Sequence, residues 1–334
     1  MNVLITGAAG MVGSHLIDYL LNKGKYKIFS FIRWNEDLSN INHILSNKKL
    51  CQQIEFCYGD LRDEQSIRAA IRKCKPVYTF HLGAQSFPKT SFYNIRETYD
   101  SNIIGTDNLI RNLLELAPEC IVHNCSSSEV FGRVPKDKLP IDEECSFHPA
   151  SPYAISKIGT DLIGRYYSEA YNFNVQTTRM FTHTGPRRGD VFAESTFAKQ
   201  LALILANKTE PIIKVGNLDS LRTWADVRDA VNAYYMLVTI NPIPGSYYNI
   251  GGNTVKSIKE MLNYLIEIAG LTDKVEIKID KERLRPIDAD LQIPDTTKFE
   301  KHTGWKPKYT FEETMRDLLN YWIDKIKHVN VLDR

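Results

Sequence analysis

The first half of the chain alternates short apolar runs with stretches of helical periodicity. VLIT (3–6) is a short β-rich run, and HLIDYLL (15–21) carries apolar residues at helical spacing. KIFSFI (27–32) and IEFCYGD (54–60) are two more apolar runs, and SIRAAIRK (66–73) reads as a helix. VYTFHLG (77–83), a helix over roughly 97–116, and CIVHNCS (120–126) continue the series. Strands alternating with helices predict an α/β fold with a parallel, doubly wound sheet. The near-continuous apolar strands predict burial on both faces. After about residue 180 turn signals crowd together: TGPRRGD, KTEP, NPIPG and IGGN. The expected division is a sheet domain over 1–180 and a smaller lobe over 181–334. PIIKVG (211–216) and YYNIGG (247–252) are expected to return to the main sheet.

Composition narrows the partners. The chain has 334 residues, 43% hydrophobic and 25% charged, enough for a packed core. The net charge of +2 has no dense basic block behind it, so a nucleic-acid or membrane-surface role has no electrostatic support. The opening MNVLITGAAG lacks the basic start of a signal peptide, and no apolar run of about 18 residues could span a bilayer. Six cysteines form no CxxC pair and no Cys/His cluster with zinc spacing. No metal site and a reducing, cytoplasmic setting are the expectations.

The glycines of TGAAGMVGSHL stand directly between the first strand and the first helix. In a dinucleotide-binding turn, Gly7 would allow the tight turn and Gly10 the approach of a pyrophosphate. Gly13 would let helix and strand pack closely. The helix N-terminus then offers free N–H groups to the phosphates. An acid at the end of the second strand would select the 2′-hydroxyl of NAD. Here Arg33 comes first, which suits the 2′-phosphate of NADP, but Glu36 and Asp37 follow closely and keep NAD open. Asp60 sits where an adenine edge could be met, or is a simple strand-end acid.

SPYAISK places Tyr153 and Lys157 at i and i+4 on one helical face. A nearby ammonium stabilises a phenolate, so tyrosine can act as a base, and the same lysine can hold a ribose. CSSSEVFG (125–132) runs three serines into Glu129 just after a buried-looking strand. By residue type alone it reads as a strand ending in a polar turn.

TGAAGMVG, HLGAQS, SSSEVFG, YAISK, YNIGGNTVKSIKEM and RTWADVRD fall in the order seen in extended short-chain dehydrogenase/reductases, and the chain resembles that family over nearly its whole length. The resemblance implies a Rossmann domain, a nicotinamide cofactor and a nucleotide-activated sugar. Within it, Ser127-Ser128-Glu129 is similar to the Thr-Ser-Glu triplet of GDP-mannose 4,6-dehydratases, as are GNLDSLRTW (216–224), THTGPRRGD (182–190) and LRPIDAD (284–290). The likeness implies that Tyr153 takes the C4 hydroxyl proton as hydride passes to the cofactor. Ser127 would steady the C4 oxygen, and Glu129 would remove the C5 proton and release the C6 hydroxyl as water. It adds Met11, Leu61, Leu82 and Ala84 to the cofactor side, and Ser86, Ser128, Lys199 and Asn217 to the substrate side. Arg187, Arg222 and Arg285 are candidates for the diphosphate, since planar forks suit that ligand.

Three positions depart from the pattern. Ser127 replaces the usual threonine, Thr182 stands where an asparagine precedes His183, and Trp34 follows Arg33 in place of a second arginine. They leave the sugar open between a GDP-mannose and a relative such as a GDP-heptose, and the cofactor open between NADP and NAD. The rival readings are a GDP-4-keto-6-deoxy-sugar reductase, a C4 epimerase and a nucleotide-binding scaffold or sensor; intact Ser127, Tyr153 and Lys157 weigh against the last. Ile158, Leu162, Tyr166 and Tyr167 lie along the helix of roughly 151–171. The resemblance implies that this helix packs on its symmetry mate, giving a homodimer or homotetramer.

Overall fold

The computed structural model describes residues 1–284 and 291–328. Its strands in chain order are β1 (Asn2–Thr6), β2 (Lys27–Ile32), β3 (Ile54–Tyr58), β4 (Tyr78–His81), β5 (Ile121–Cys125), β6 (Val175–Met180), β7 (His183–Thr184) and β8 (Ile212–Val215). They continue as β9 (Leu221–Asp226), β10 (Tyr247–Ile250), β11 (Thr254–Ser257), β12 (Glu276–Ile279) and β13 (Leu291–Gln292). Seven strands form one sheet in the order β10-β6-β5-β4-β1-β2-β3. Every pairing within it is parallel. The order runs out from β1 in both directions, so the connections double back at the β1–β4 boundary. In such sheets a crevice opens there at the C-terminal strand ends.

Both faces of the sheet are covered, which explains the apolar strands. The helices Met11–Lys23 and Val227–Thr239 lie on one face, where Leu16, Ile17, Leu20, Val231, Tyr234 and Leu237 join a single core with Val3, Ile5 and Ile28. On the other face, Ile67 and Ile71 of Glu64–Cys74 and Leu109 and Leu113 of Gly105–Leu116 pack over Leu4, Phe29 and Val122.

The later half builds its own core between the helices Ala193–Leu205, Ile258–Ile268 and Phe311–His328, around Phe197, Leu201, Met261, Leu265, Leu318 and Trp322. Tyr247–Ile250 returns to the main sheet beside β6. The expected return of 211–216 does not occur, because β8 pairs parallel with β12 in a separate two-stranded sheet. Ile213 and Val215 then point into the lobe core. A short apolar run specifies a buried strand but not the strand it pairs with.

Candidate active site

The dinucleotide turn is built as a backbone cradle. Gly7 has φ +67, and a Cβ there would lie 2.8 Å from the Gly83 Cα. A Cβ on Gly13 would lie 2.3 Å from the Gly7 carbonyl oxygen, so the protein itself demands that glycine. Gly10 is different. Its φ of −70 is ordinary. Its added Cβ would meet only the Gly7 carbonyl oxygen, at 3.3 Å. Apart from that one tight backbone contact, internal packing leaves the space above Gly10 unfilled, next to the N-terminus of Met11–Lys23. That helix has no side-chain cap and no acidic residue in its first turn. Free N–H groups beside an open backbone fit a pyrophosphate. Thr6 locks the neighbouring strand end, its hydroxyl accepting from the Leu82 and Gly83 amides at 3.1 and 3.0 Å. Leu61 packs 3.1 Å from a Cβ built on Gly83, and the Leu82 carbonyl carbon lies 2.9 Å from one built on Gly7.

Arg33 and Asp60 stand at the ends of adjacent strands β2 and β3, where Ile32 faces Tyr58. Arg33 donates from Nε to Glu36 at 2.9 Å. Arg62 forks onto Asp60 at 2.9 and 2.7 Å. The Arg62 hydrogen bonds hold the Asp60 carboxyl below the usual range. Trp34 is 82% exposed.

The acid–base group forms where β5 meets the helix Pro152–Tyr171. Ser151 caps that helix by accepting from the Ala154 amide, with Pro152 in the first turn. Tyr153 and Lys157 are both buried, and Lys157 Nζ lies 6.0 Å from the Tyr153 ring centre. Lys157 donates to the Cys125 carbonyl at 2.7 Å, which ties the helix to the end of β5. Ser126 strengthens the tie by donating to the Lys157 carbonyl at 3.1 Å. The residues CSSSEVFG then leave the strand in one short turn, Ser128–Phe131, whose cap is Ser127. The Ser127 hydroxyl accepts from the Glu129 amide at 3.2 Å. Ser128 is buried, while the Glu129 side chain stays half-buried beside Tyr153.

Burial pushes the Tyr153 phenol up, and Glu129 adds to that. Ser127 and Arg188 pull it down. Burial also lowers the Lys157 ammonium. Arg188 is the residue that sequence reasoning passed over. Its side chain is 15% exposed, donates to Glu194 at 3.0 Å and lies over the Phe192 ring. His183 accompanies it, lowered to about 4 by burial and then by the Arg188 charge.

Arg187 turns the other way. With φ +69 it reaches back to Asp18 of the first helix at 2.7 Å. His15 of that helix shares a hydrogen bond of 3.1 Å with the Pro186 carbonyl. Two adjacent arginines thus serve different helices, and only backbone conformation separates them.

A second hub lies below the groove. Asn102, inside the wide π turn Asp100–Ile104, accepts from the Gln85 amide and donates to the Gln85 carbonyl and the Ser156 hydroxyl. It anchors the loop that carries Ala84 and the exposed Ser86. On the lobe, Lys199 is buried and pairs with Asp190 at 3.0 Å. Asn217 is exposed and Arg222 is buried in β9. Arg285 lies outside the described residues. Among the described residues no cluster of ligating side chains could hold a metal ion.

Comparison with known proteins adds one decisive observation. The family model described as GDP-mannose 4,6 dehydratase matches residues 4–318. The chain belongs to the GDP-mannose 4,6 dehydratase family. Among the family's curated members it is 30% identical to the GDP-mannose 4,6 dehydratase of Dictyostelium discoideum, covering 97% of this chain and 96% of that protein. It is 28% identical to GDP-mannose 4,6-dehydratase sdnI of Sordaria araneosa, where the match spans 98% of this chain but 62% of the longer relative. Two solved structures share the architecture. RMD from Pseudomonas aeruginosa, complexed with NADPH, superposes with a TM-score of 0.81 at 25% identity, covering 97% of this chain and 100% of that one. The dTDP-glucose 4,6-dehydratase of Bacillus anthracis, in complex with NAD, gives 0.84 at 26% identity, covering 98% of both chains.

Proposed function

We propose that the chain is a GDP-sugar 4,6-dehydratase that converts GDP-mannose or a close relative to the GDP-4-keto-6-deoxy sugar. The observation that carries the reading is Glu129, whose amide donates to the Ser127 hydroxyl and whose half-buried carboxylate lies within electrostatic reach of Tyr153. A sugar reductase or epimerase has less need of that carboxylate.

The turn at Gly7, Gly10 and Gly13, with Met11, Leu61, Leu82 and Ala84, would hold NADP or NAD. Lys157 would hold its nicotinamide ribose. The chemistry such a cofactor supplies is a reversible store for one hydride. Tyr153 takes the C4 hydroxyl proton, helped by Lys157 and Arg188. Ser127 holds the C4 oxygen as charge develops. The 4-keto group makes the C5 proton acidic, and Glu129 removes it. The same proton leaves with the C6 hydroxyl as water, so Glu129 serves as base and then acid; the hydride taken from C4 would then return to C6 and the proton held by Tyr153 would go to C5, giving the 6-deoxy sugar. Ser128 takes a supporting substrate contact, and Ser86, Lys199, Asn217 and Arg222 face the nucleotide and its diphosphate. Arg187 has no part in this scheme, because it is engaged with Asp18.

Purified protein incubated with GDP-mannose and no reductant should yield a product lighter by one water. A GDP-heptose is the next substrate if the mass is unchanged. Turnover of the 4-keto product with NADPH, and no loss of water from either sugar, would replace the dehydratase by a reductase.

A homodimer is part of the same reading. The helix Pro152–Tyr171 exposes Ile155, Leu162 and Tyr166, beside Ile104 of the neighbouring helix. Tyr167 does not share that face, since it is buried and donates to Asp107. Leu162→Glu should shift the species seen by light scattering toward monomer. No helix among the described residues is long and apolar enough to cross a membrane. A reducing, cytoplasmic setting belongs to the proposal, and its support is that all six cysteines are free thiols.

A further inference from the structure

We propose that Glu36 sets the cofactor choice, by competing with the adenosine 2′-phosphate for Arg33 and by receiving the 2′-hydroxyl when that phosphate is absent. The proposal rests on reading the end of β2 as the adenosine ribose site.

Arg33 ends β2, and the chain folds back at once: the Glu36 amide donates to the Arg33 carbonyl at 3.2 Å. That turn brings the two side chains together. Arg33 Nε donates to Glu36 at 2.9 Å, and Nη2 makes a longer contact of 3.4 Å. The Arg33 side chain is 60% exposed and that of Glu36 28%. An ion pair this open is weak and exchangeable.

The neighbouring pair behaves differently. Arg62 makes two side-chain bonds to Asp60, and its backbone amide adds a third at 2.9 Å. Its guanidinium is committed. The local charge therefore gives a phosphate no surplus to use. Arg33 and Arg62 face Glu36 and Asp60, and both also lie within electrostatic reach of Glu97. A dianionic 2′-phosphate has to displace Glu36 from Arg33 and then sit near its freed carboxylate. A 2′-hydroxyl can donate to Glu36 and leave the ion pair standing. The two cofactors should bind with similar affinity, and one residue should tip the balance.

The test is calorimetric titration of the full chain with NADP and with NAD, after exchange of any co-purified nucleotide. Wild type should bind both, within about tenfold of each other. Glu36→Gln should tighten NADP about five- to tenfold and weaken NAD, because it removes a competitor of ordinary surface strength. Arg33→Ala should weaken NADP more than about tenfold and leave NAD within about twofold. Glu36 lies on an exposed turn, and matching circular dichroism and melting temperature would show that both variants fold. An unchanged NADP-to-NAD ratio in Glu36→Gln overturns the proposal while leaving the cofactor site in place. Failure of the wild type to bind either nucleotide overturns the ribose reading along with it.

Discussion

Around the start of Pro152–Tyr171, Tyr153 and Lys157 are buried and Arg188 is nearly so; at the ends of β2 and β3, where we propose the adenosine binds, Arg33, Glu36, Asp60 and Arg62 stand partly in water. The first set is held by hydrogen bonds to the Cys125 carbonyl and to Glu194, and burial shifts its ionisation. The second set is paired within itself and close to solvent. One sheet edge thus carries a region where charge is expensive and fixed, and another where it is cheap and exchangeable. Chemistry that moves protons belongs in the first, and the choice between two related ligands can be left to the second.

The largest expected effect breaks the buried end. Glu129→Gln keeps the shape but cannot take a proton. The rate of water loss should fall by about 10³-fold, read by product mass, with nucleotide affinity unchanged. If elimination continued at a wild-type rate, Glu129 would lose its role.

The next effect falls on the turn shared by both ends. Gly13→Ala should cost about 3 kcal/mol in chemical denaturation, since the Cβ has only backbone to push against at 2.3 Å. A smaller change tests how the buried charges help one another. Arg188→Met removes a charge that lowers the Tyr153 phenol, so that phenol rises further. The rising limb of the pH–rate profile should move to higher pH, and activity at neutral pH should drop roughly a few-fold. Arg33→Ala should leave that limb where it is. The smallest effect sharpens the contrast between glycines. Gly10→Ala should cost the nucleotide-free protein less than Gly13→Ala, since its Cβ would meet one backbone oxygen at 3.3 Å rather than 2.3 Å, while weakening nucleotide binding measurably.

Much of this arrangement is written in residue order. The alternation of apolar runs and helices carries the parallel sheet, because both periodicities are local. The glycine turn and the Tyr153–Lys157 spacing are local too. What escaped depends on distance or on a single backbone angle. PIIKVG looks like any buried strand, and its pairing with Glu276–Ile279 across more than sixty residues leaves no local mark. Arg187 and Arg188 are equivalent as letters. The left-handed conformation at Arg187 sends one to Asp18 and the other toward Tyr153. Glu36 is legible as a charge near Arg33, but its pairing with Arg33, and that of Arg62 with Asp60, depend on turn geometry.

The strap from Asp18 to Arg187, with His15 on the Pro186 carbonyl, makes the first helix and the TGPRRGD loop one mechanical part. That limits how the fold can be recombined. Grafting the glycine turn and its helix from a relative, in order to change the cofactor, would carry away the anchor that sets the direction of Arg188. A working chimera would need both segments from the same parent, although some 170 residues separate His15 from Pro186.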